Sequence, residues 1–159
     1  MLSFDEVSFS YETGHKILDK LSFDVSPGEF ISIVGVSGSG KSTVFRLITG
    51  LDEPSIGTIS LTGNKDPKRL GKVGYMPQQD LLLPWRTILE NVCLPLEIAG
   101  IDKKTAQQQV MPLLTDFGLS GTENNYPHEL SGGMKQRVAF LRALLSGNSL
   151  LLLDEPSLH

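Results

Sequence analysis

The octet Gly35-Val36-Ser37-Gly38-Ser39-Gly40-Lys41-Ser42 follows directly on the apolar run Phe30 to Val34. A Gly-x-x-x-x-Gly-Lys-Ser string in that position reads as a phosphate cradle. Glycine takes backbone angles closed to other residues, so successive amide N–H groups can turn inward around an anion. Lys41 adds a full positive charge, and Ser42 to Thr49 reads as the first turns of a helix whose N-terminal N–H groups and dipole also favour negative charge. Gly35, Ser37, Gly38, Ser39, Gly40, Lys41, Ser42 and Thr43 are therefore expected around the phosphates of a nucleoside triphosphate. A flexible Gly/Ser surface turn would explain the octet alone, but a linker needs neither the β-rich run before it nor the apolar helix after it.

Two more groupings carry chemistry. Ser131-Gly132-Gly133 at a helix start exposes N–H groups and a hydroxyl, enough for a second anion site; an ordinary capped helix with a glycine turn is the plainer alternative. Leu150 to Leu153 end in Asp154 and Glu155. A buried strand delivers such acids to the C-terminal edge of a sheet, where ligands of open α/β sheets lie. Neighbouring side chains leave a strand on opposite faces, yet the backbone can turn at its end, so the two acids can take different jobs. The plain reading there is a solvated acidic turn.

With 159 residues and 40% hydrophobic content the chain can bury one real core. A net charge of −4 and a pI near 5.3 argue against nucleic acid as the main partner, because a phosphate backbone calls for a basic face. Cys93 is the single cysteine, so no internal disulfide forms, and its neighbours Val92 and Leu94 suggest a small buried side chain rather than a catalytic thiol. No signal segment opens the chain, and no run is long enough to cross a bilayer. A membrane role is expected only through another subunit.

The elements that would position these residues can be read in order. Leu2, Phe4, Val7 and Phe9 alternate with polar residues, as does Ile17 to Val25, which gives two strands before the turn Ser26-Pro27-Gly28. Phe30 to Val34 suits a strand buried on both faces of a sheet with parallel character. The helix from about Ser42 should stop at Gly50, and a turn over Pro54 to Gly57 should lead into a strand at Thr58 to Thr62, with Val73 to Met76 a short further strand. Thr87 to Val92 and Lys103 to Phe117 read as helical segments separated by Pro95, Gly100 and Asp102, with Asp102 a cap and Pro112 expected to kink or shorten the second. Ser131 to Ser146 gives another helix, with Met134, Val138, Leu141 and Leu145 at helical spacing, before the strand Leu150 to Leu153.

The longer string LSGGMKQR, Leu130 to Arg137, resembles the signature of ABC transporter nucleotide-binding subunits, closest to the nitrate, sulfonate and taurine importer branch. The resemblance implies an α/β fold of the P-loop NTPase (RecA-like) type, with an N-terminal antiparallel β part and an α-helical insert. Residues 1–80 would hold the β part and the ATP-binding core, 81–147 the helical subdomain, and 148–159 the return to the core. It implies ATP and Mg2+ as ligands, and Ser131, Gly132 and Gly133 capping the ATP of a second ATP-binding subunit in a head-to-tail dimer. Asp154 resembles the Walker B aspartate that holds magnesium through water while Ser42 ligates it directly, and Glu155 resembles the general base that orients and deprotonates the attacking water.

Val73-Gly74-Tyr75-Met76-Pro77-Gln78 is similar to the family's Q-loop, with Gln78 sensing metal and reacting phosphate through its amide oxygen and Gln79 its rival. Tyr11 fits the A-loop aromatic that stacks on adenine, against the plain reading of a tyrosine at a strand end. Leu82 to Thr87 and Glu90 to Val92 carry the branch resemblance, in which a membrane permease subunit docks near the Q-loop. Trp85 would then be a contact anchor, or else simply pack between the helical insert and the core. His128 reads as structural. Beyond Glu155 the family has a D-loop and a later switch histidine; the chain reads Pro156-Ser157-Leu158-His159, and His159 is too near Glu155 for that role.

The expected activity is ATP hydrolysis energising a transporter of small solutes. Catalysis would rest on Lys41, Gln78 and Glu155, and the protein would sit peripherally on the cytoplasmic face of the membrane beside the permease and a solute-binding protein. The alternatives are a truncated module that holds nucleotide without hydrolysing it, or a non-transport ABC ATPase.

Overall fold

The computed structural model describes residues 2–11, 14–61 and 68–154, and the chain divides into two compact units, residues 1–72 and 73–159. In the first unit β1 (Leu2–Ser10) pairs antiparallel with β2 (Lys16–Val25) on one side and β3 (Ile56–Leu61) on the other. Leu2, Phe4, Val7 and Phe9 are all buried although Phe4 and Val7 stand three apart. A bulge resolves the mismatch: the register with β2 shifts between Phe4 and Val7, and Glu6 sits at φ 50°. The mispaired amides are satisfied crosswise, Glu6 N–H by Ser22 Oγ and Lys20 N–H by Ser8 Oγ, each at 2.9 Å.

Helix α1 (Lys41–Thr49) buries Val44, Leu47 and Ile48 and ends at Gly50, whose φ of 75° is the left-handed stop the sequence announces. Its C-terminal end is held by two arginines. Arg46 bonds Asp52 through two nitrogens, at 2.6 and 3.0 Å, and the buried Arg69 donates to the Leu47 carbonyl at 3.1 Å and to Glu53 at 2.8 Å. β3 starts at Ile56, so Gly57 lies in the strand rather than in the turn before it. A Cβ at Gly57 would collide with the Glu6 carbonyl, which is why glycine stands opposite the bulge.

One sequence expectation fails in this unit. Phe30 to Val34 forms no strand, and Phe30 and Val34 are 92% and 90% exposed. A strand buried on both faces is stable only with a hydrogen-bonded neighbour on each side, and among the described residues β1, β2 and β3 form one sheet and β4 and β5 another, without it.

In the second unit β4 (Gly74–Met76) runs parallel to β5 (Leu151–Leu153), with Tyr75 opposite Leu152. Three helices make the bulk of its core: α2 (Ile88–Ile98), α3 (Lys103–Asp116) and α4 (Gly132–Leu144). Ile88, Val92 and Leu96 face Ala106, Val110 and Leu114 and the α4 residues Val138 and Leu141. Thr87 and Glu90 close a reciprocal capping box on α2, and Asp102 caps α3 by accepting from the Thr105 amide at 3.1 Å.

Neither proline ends its helix. Pro95 lies inside α2, which runs on to Ile98, and Pro112 lies inside α3, which reaches Asp116. The stripes of buried residues continue past both, and their packing outweighs the lost backbone hydrogen bond.

Candidate functional site

The loop before α1 turns through two left-handed glycines. Gly38 and Gly40 take φ of 79° and 91°, both left-handed, and Gly40 is the residue from which the helix starts. Lys41 lies back over the loop, its Nζ donating to the carbonyls of Gly35 at 2.8 Å and Val36 at 3.0 Å. A side chain at Gly35 would come within 2.7 Å of Ser39 Oγ, so the serine would have to turn aside to admit one. No side chain among the described residues caps α1, and its first turn carries no acid. The helix therefore offers its first N–H groups and positive dipole end to a phosphate. Ser42 is exposed beside them and Thr43 is on the buried side of α1.

In the second unit Asp154 stands at the C-terminal end of β5, 6% exposed, with its amide bonded to the Met76 carbonyl at 2.9 Å and its Oδ2 3.5 Å from the Tyr75 hydroxyl. Such a sparsely bonded buried carboxylate suits a cation. Among the described residues no three His, Cys, Asp or Glu side chains converge. The Asp154 carboxylate is the donor type that a hard ion such as Mg2+ takes, with water and phosphate completing its shell.

Ser131 is the N-cap of α4, its Oγ accepting from the Met134 amide at 3.4 Å. The hydroxyl hydrogen stays available to donate, and Gly132 leaves open space where a side chain would stand. Gln78 to Leu81, with Gly132, Gly133 and Gln136, line one cavity of about 560 Å3. The structure thus brings Gln78 and the serine-glycine turn to a common space within one unit, and Gln79 lines it too.

Tyr11 follows β1, 45% exposed and edge-on to Phe9 with centroids 4.9 Å apart. Glu155, like Pro156 to His159, lies outside the described residues. Trp85 is 72% exposed, so it does not pack as a core residue. His128 is exposed and stacks on Tyr126.

Two further residues matter here that are not among the expected site residues. Asn91 is completely buried, accepting from the Leu83 amide at 2.8 Å and donating to the carbonyls of Leu83, Arg86 and Thr87 at 3.0 to 3.1 Å. It shapes the turn that carries Trp85. Arg142 of α4 donates to the carbonyls of Asp80 at 2.8 Å and Leu81 at 2.9 Å, in the loop that follows Gln78. The sequence marks Asn91 by its place in the Glu90 to Val92 string and as a polar residue among the apolar positions of α2, neither of which announces its bonds; nothing local marks Arg142.

Over residues 18–158 the chain matches the family described as ABC transporter. It is 56% identical over 156 residues to the formylaminopyrimidine import ATP-binding protein ThiZ of Halalkalibacterium halodurans, covering 98% of this chain and 60% of that protein. It is 44% identical over 140 residues to the aliphatic sulfonates import ATP-binding protein SsuB 1 of Rhodococcus jostii, covering 88% of this chain and 54% of that one. The chain thus spans little more than half the length of these relatives. Among solved structures, the dimeric ATP-binding cassette MJ0796 in a post-hydrolysis state with ADP and Pi aligns at a TM-score of 0.87 and 32% identity, over 99% of this chain and 75% of that one. A shared P-loop NTPase fold and a family match from Leu18 onward leave one conclusion: the chain belongs to the ABC transporter family, among its ATP-binding subunits.

Proposed function

We propose that the whole protein is the ATP-hydrolysing subunit of an importer of small solutes, working as a head-to-tail dimer on the cytoplasmic face of a membrane against a permease fed by a solute-binding protein. The observation that carries this reading is the uncapped start of α1, where Gly38 and Gly40 turn the backbone inward and Lys41 waits over the loop. Gly35 to Thr43 hold the phosphates, and Lys41 gives up two backbone carbonyls to pair with them. Tyr11 lies against the base. Mg2+, held by Ser42 and Asp154 and sensed by Gln78, would neutralise charge on the phosphates. Glu155 takes the proton of the attacking water, and the partner subunit's signature turn adds donors from the other side. Residues 81–147 act as the helical subdomain, with exposed Trp85 the anchor for the permease.

The names of the relatives support import and two cargo classes, formylaminopyrimidine at 56% identity and aliphatic sulfonates at 44%. Phosphate release by the full-length protein tests the reading. Glu155→Gln should keep ATP binding, lose turnover by at least about a hundredfold and dimerise with Mg-ATP, whereas Lys41→Ala should lose binding. Unchanged turnover in Glu155→Gln would remove that residue as the base. ATP binding without any phosphate release from the unaltered protein would leave a nucleotide-holding module.

A further inference from the structure

Leu81 has a φ of 44°, a left-handed backbone on a residue with a γ-branched side chain, three positions after Gln78. A non-glycine residue is held there only when its surroundings over-determine it. Little packing does so at Leu81, whose side chain is 58% exposed. What holds the peptide is Arg142, which places one guanidinium nitrogen on the carbonyl of Leu81 at 2.9 Å and another on that of Asp80 at 2.8 Å. The planar fork of arginine suits two neighbouring acceptors in a way that a lysine ammonium does not. Asp80 adds a local brace, its Oδ1 accepting from the Leu82 amide at 3.1 Å, and the next residue, Leu83, is fixed by Asn91.

Arg142 is itself firmly seated. It lies in α4, between the buried residues Leu141 and Ala143, and at that level α4 lies directly on β4, since a Cβ on Gly74 would come within 2.8 Å of the Ala143 carbonyl. The other end of the same helix carries Gly132 and Gly133, which share the 560 Å3 cavity with Gln78 to Leu81. One rigid helix therefore forms one wall of that cavity and grips the loop that forms the other.

We propose that Arg142 is a positioning residue, holding the strained Leu81 peptide so that the Gln78 loop keeps its place against the first turn of α4. The link to turnover rests on the ATPase reading above, but the clamp itself does not.

Hydrogen exchange on the purified full-length protein, read peptide by peptide, tests the clamp without nucleotide. In Arg142→Lys the amides of residues 79–83 should exchange about tenfold faster, the order expected when a left-handed residue loses its restraint, while α3 is unchanged. Equal protection in the two proteins would overturn the proposal. Phosphate release per bound nucleotide is the second arm, with bound nucleotide counted by titration so that a misfolded fraction does not register. Arg142→Lys should turn over about tenfold more slowly, and Leu81→Gly in that background should recover most of the loss, because glycine takes a positive φ without strain. A merely structural arginine would give no rescue, and a double variant as slow as Arg142→Lys alone would sink the positioning role. A full-length protein that never releases phosphate would defeat the ATPase reading, with the exchange result still deciding the clamp.

Discussion

Lys41 and Asn91 mark two kinds of residue that a single chain can hide or reveal. Lys41 sits in an octet whose spacing follows from local backbone geometry, so its place at the head of α1 is legible from the residue types alone. The same holds for Ser131 at the start of α4 and Asp154 at the end of β5. Asn91 and Arg142 are not legible in that way, because each acts on backbone groups outside its own helix, up to 62 residues away, and backbone groups have no sequence signature. Asn91 nevertheless has the larger expected effect on stability. Its fully buried side chain accepts from the Leu83 amide and shares two N–H hydrogens among three carbonyls; those of Leu83 and Thr87 also accept from backbone amides, so removing it strands the Leu83 amide and the Arg86 carbonyl at about 1–3 kcal/mol for an unsatisfied buried group. Asn91→Ala should therefore lower the unfolding free energy by about 3 kcal/mol, read as a fall in urea midpoint. A loss within about 0.5 kcal/mol, the range of ordinary surface changes, would mean that water or a shifted loop replaces those bonds.

Elements with local stop signals form where the sequence places them: β1, β2, α1 with its Gly50 stop, α4 and β5. Those that depend on neighbours do not. Phe30 to Val34 has the composition of an interior strand, but a strand exists only through its partners, and none of the described strands takes that place. Pro95 and Pro112 carry the local signal of a helix end, and tertiary packing overrides it in both helices. In α2 that override has a measurable cost. Pro95 cannot donate to the Asn91 carbonyl, and Pro95→Ala restores one backbone bond of about 1 kcal/mol together with part of the ~3 kcal/mol propensity gap between proline and alanine. Against this stands about 1 kcal/mol of unfolded-chain entropy that proline saves. The balance predicts a gain of about 1–2 kcal/mol in unfolding free energy for Pro95→Ala. An unchanged or lower midpoint would show that α2 has already relaxed around its proline.

At the scale of the molecule, stability should have an acid limb to which both units contribute and an alkaline limb set in the second. In the first unit, the hydrogen bond from Arg46 holds the Asp52 carboxyl below its ordinary 3.8. In the second, the Thr87 amide, with Lys103 and Arg86 adding charge, holds Glu90 below 4.5. A carboxyl whose folded pKa is depressed contributes stability at pH above its unfolded value and loses it as pH falls through the folded one. Both contributions should be whole at pH 6 and fade from about pH 4.5 downward. Cys93 behaves oppositely: burial, with the negative charges of Glu97 and Glu90 behind it, pushes the thiol from 9.0 up to about 11. Its contribution is whole below 9.0 and is lost as pH rises toward 11, because the unfolded thiol ionises first. The variants separate the limbs. Asp52→Asn should be less stable than the parent at pH 6, with the gap narrowing as pH falls below 3.8, while the gap between the parent and Cys93→Ala should narrow between pH 9 and 11. Urea titrations across pH decide it: a constant gap for Asp52→Asn down to pH 3 would mean that the Arg46 pair adds nothing to folding, and a thiol that reacts with a disulfide reagent at pH 8 as fast as an exposed cysteine would mean that Cys93 is not buried.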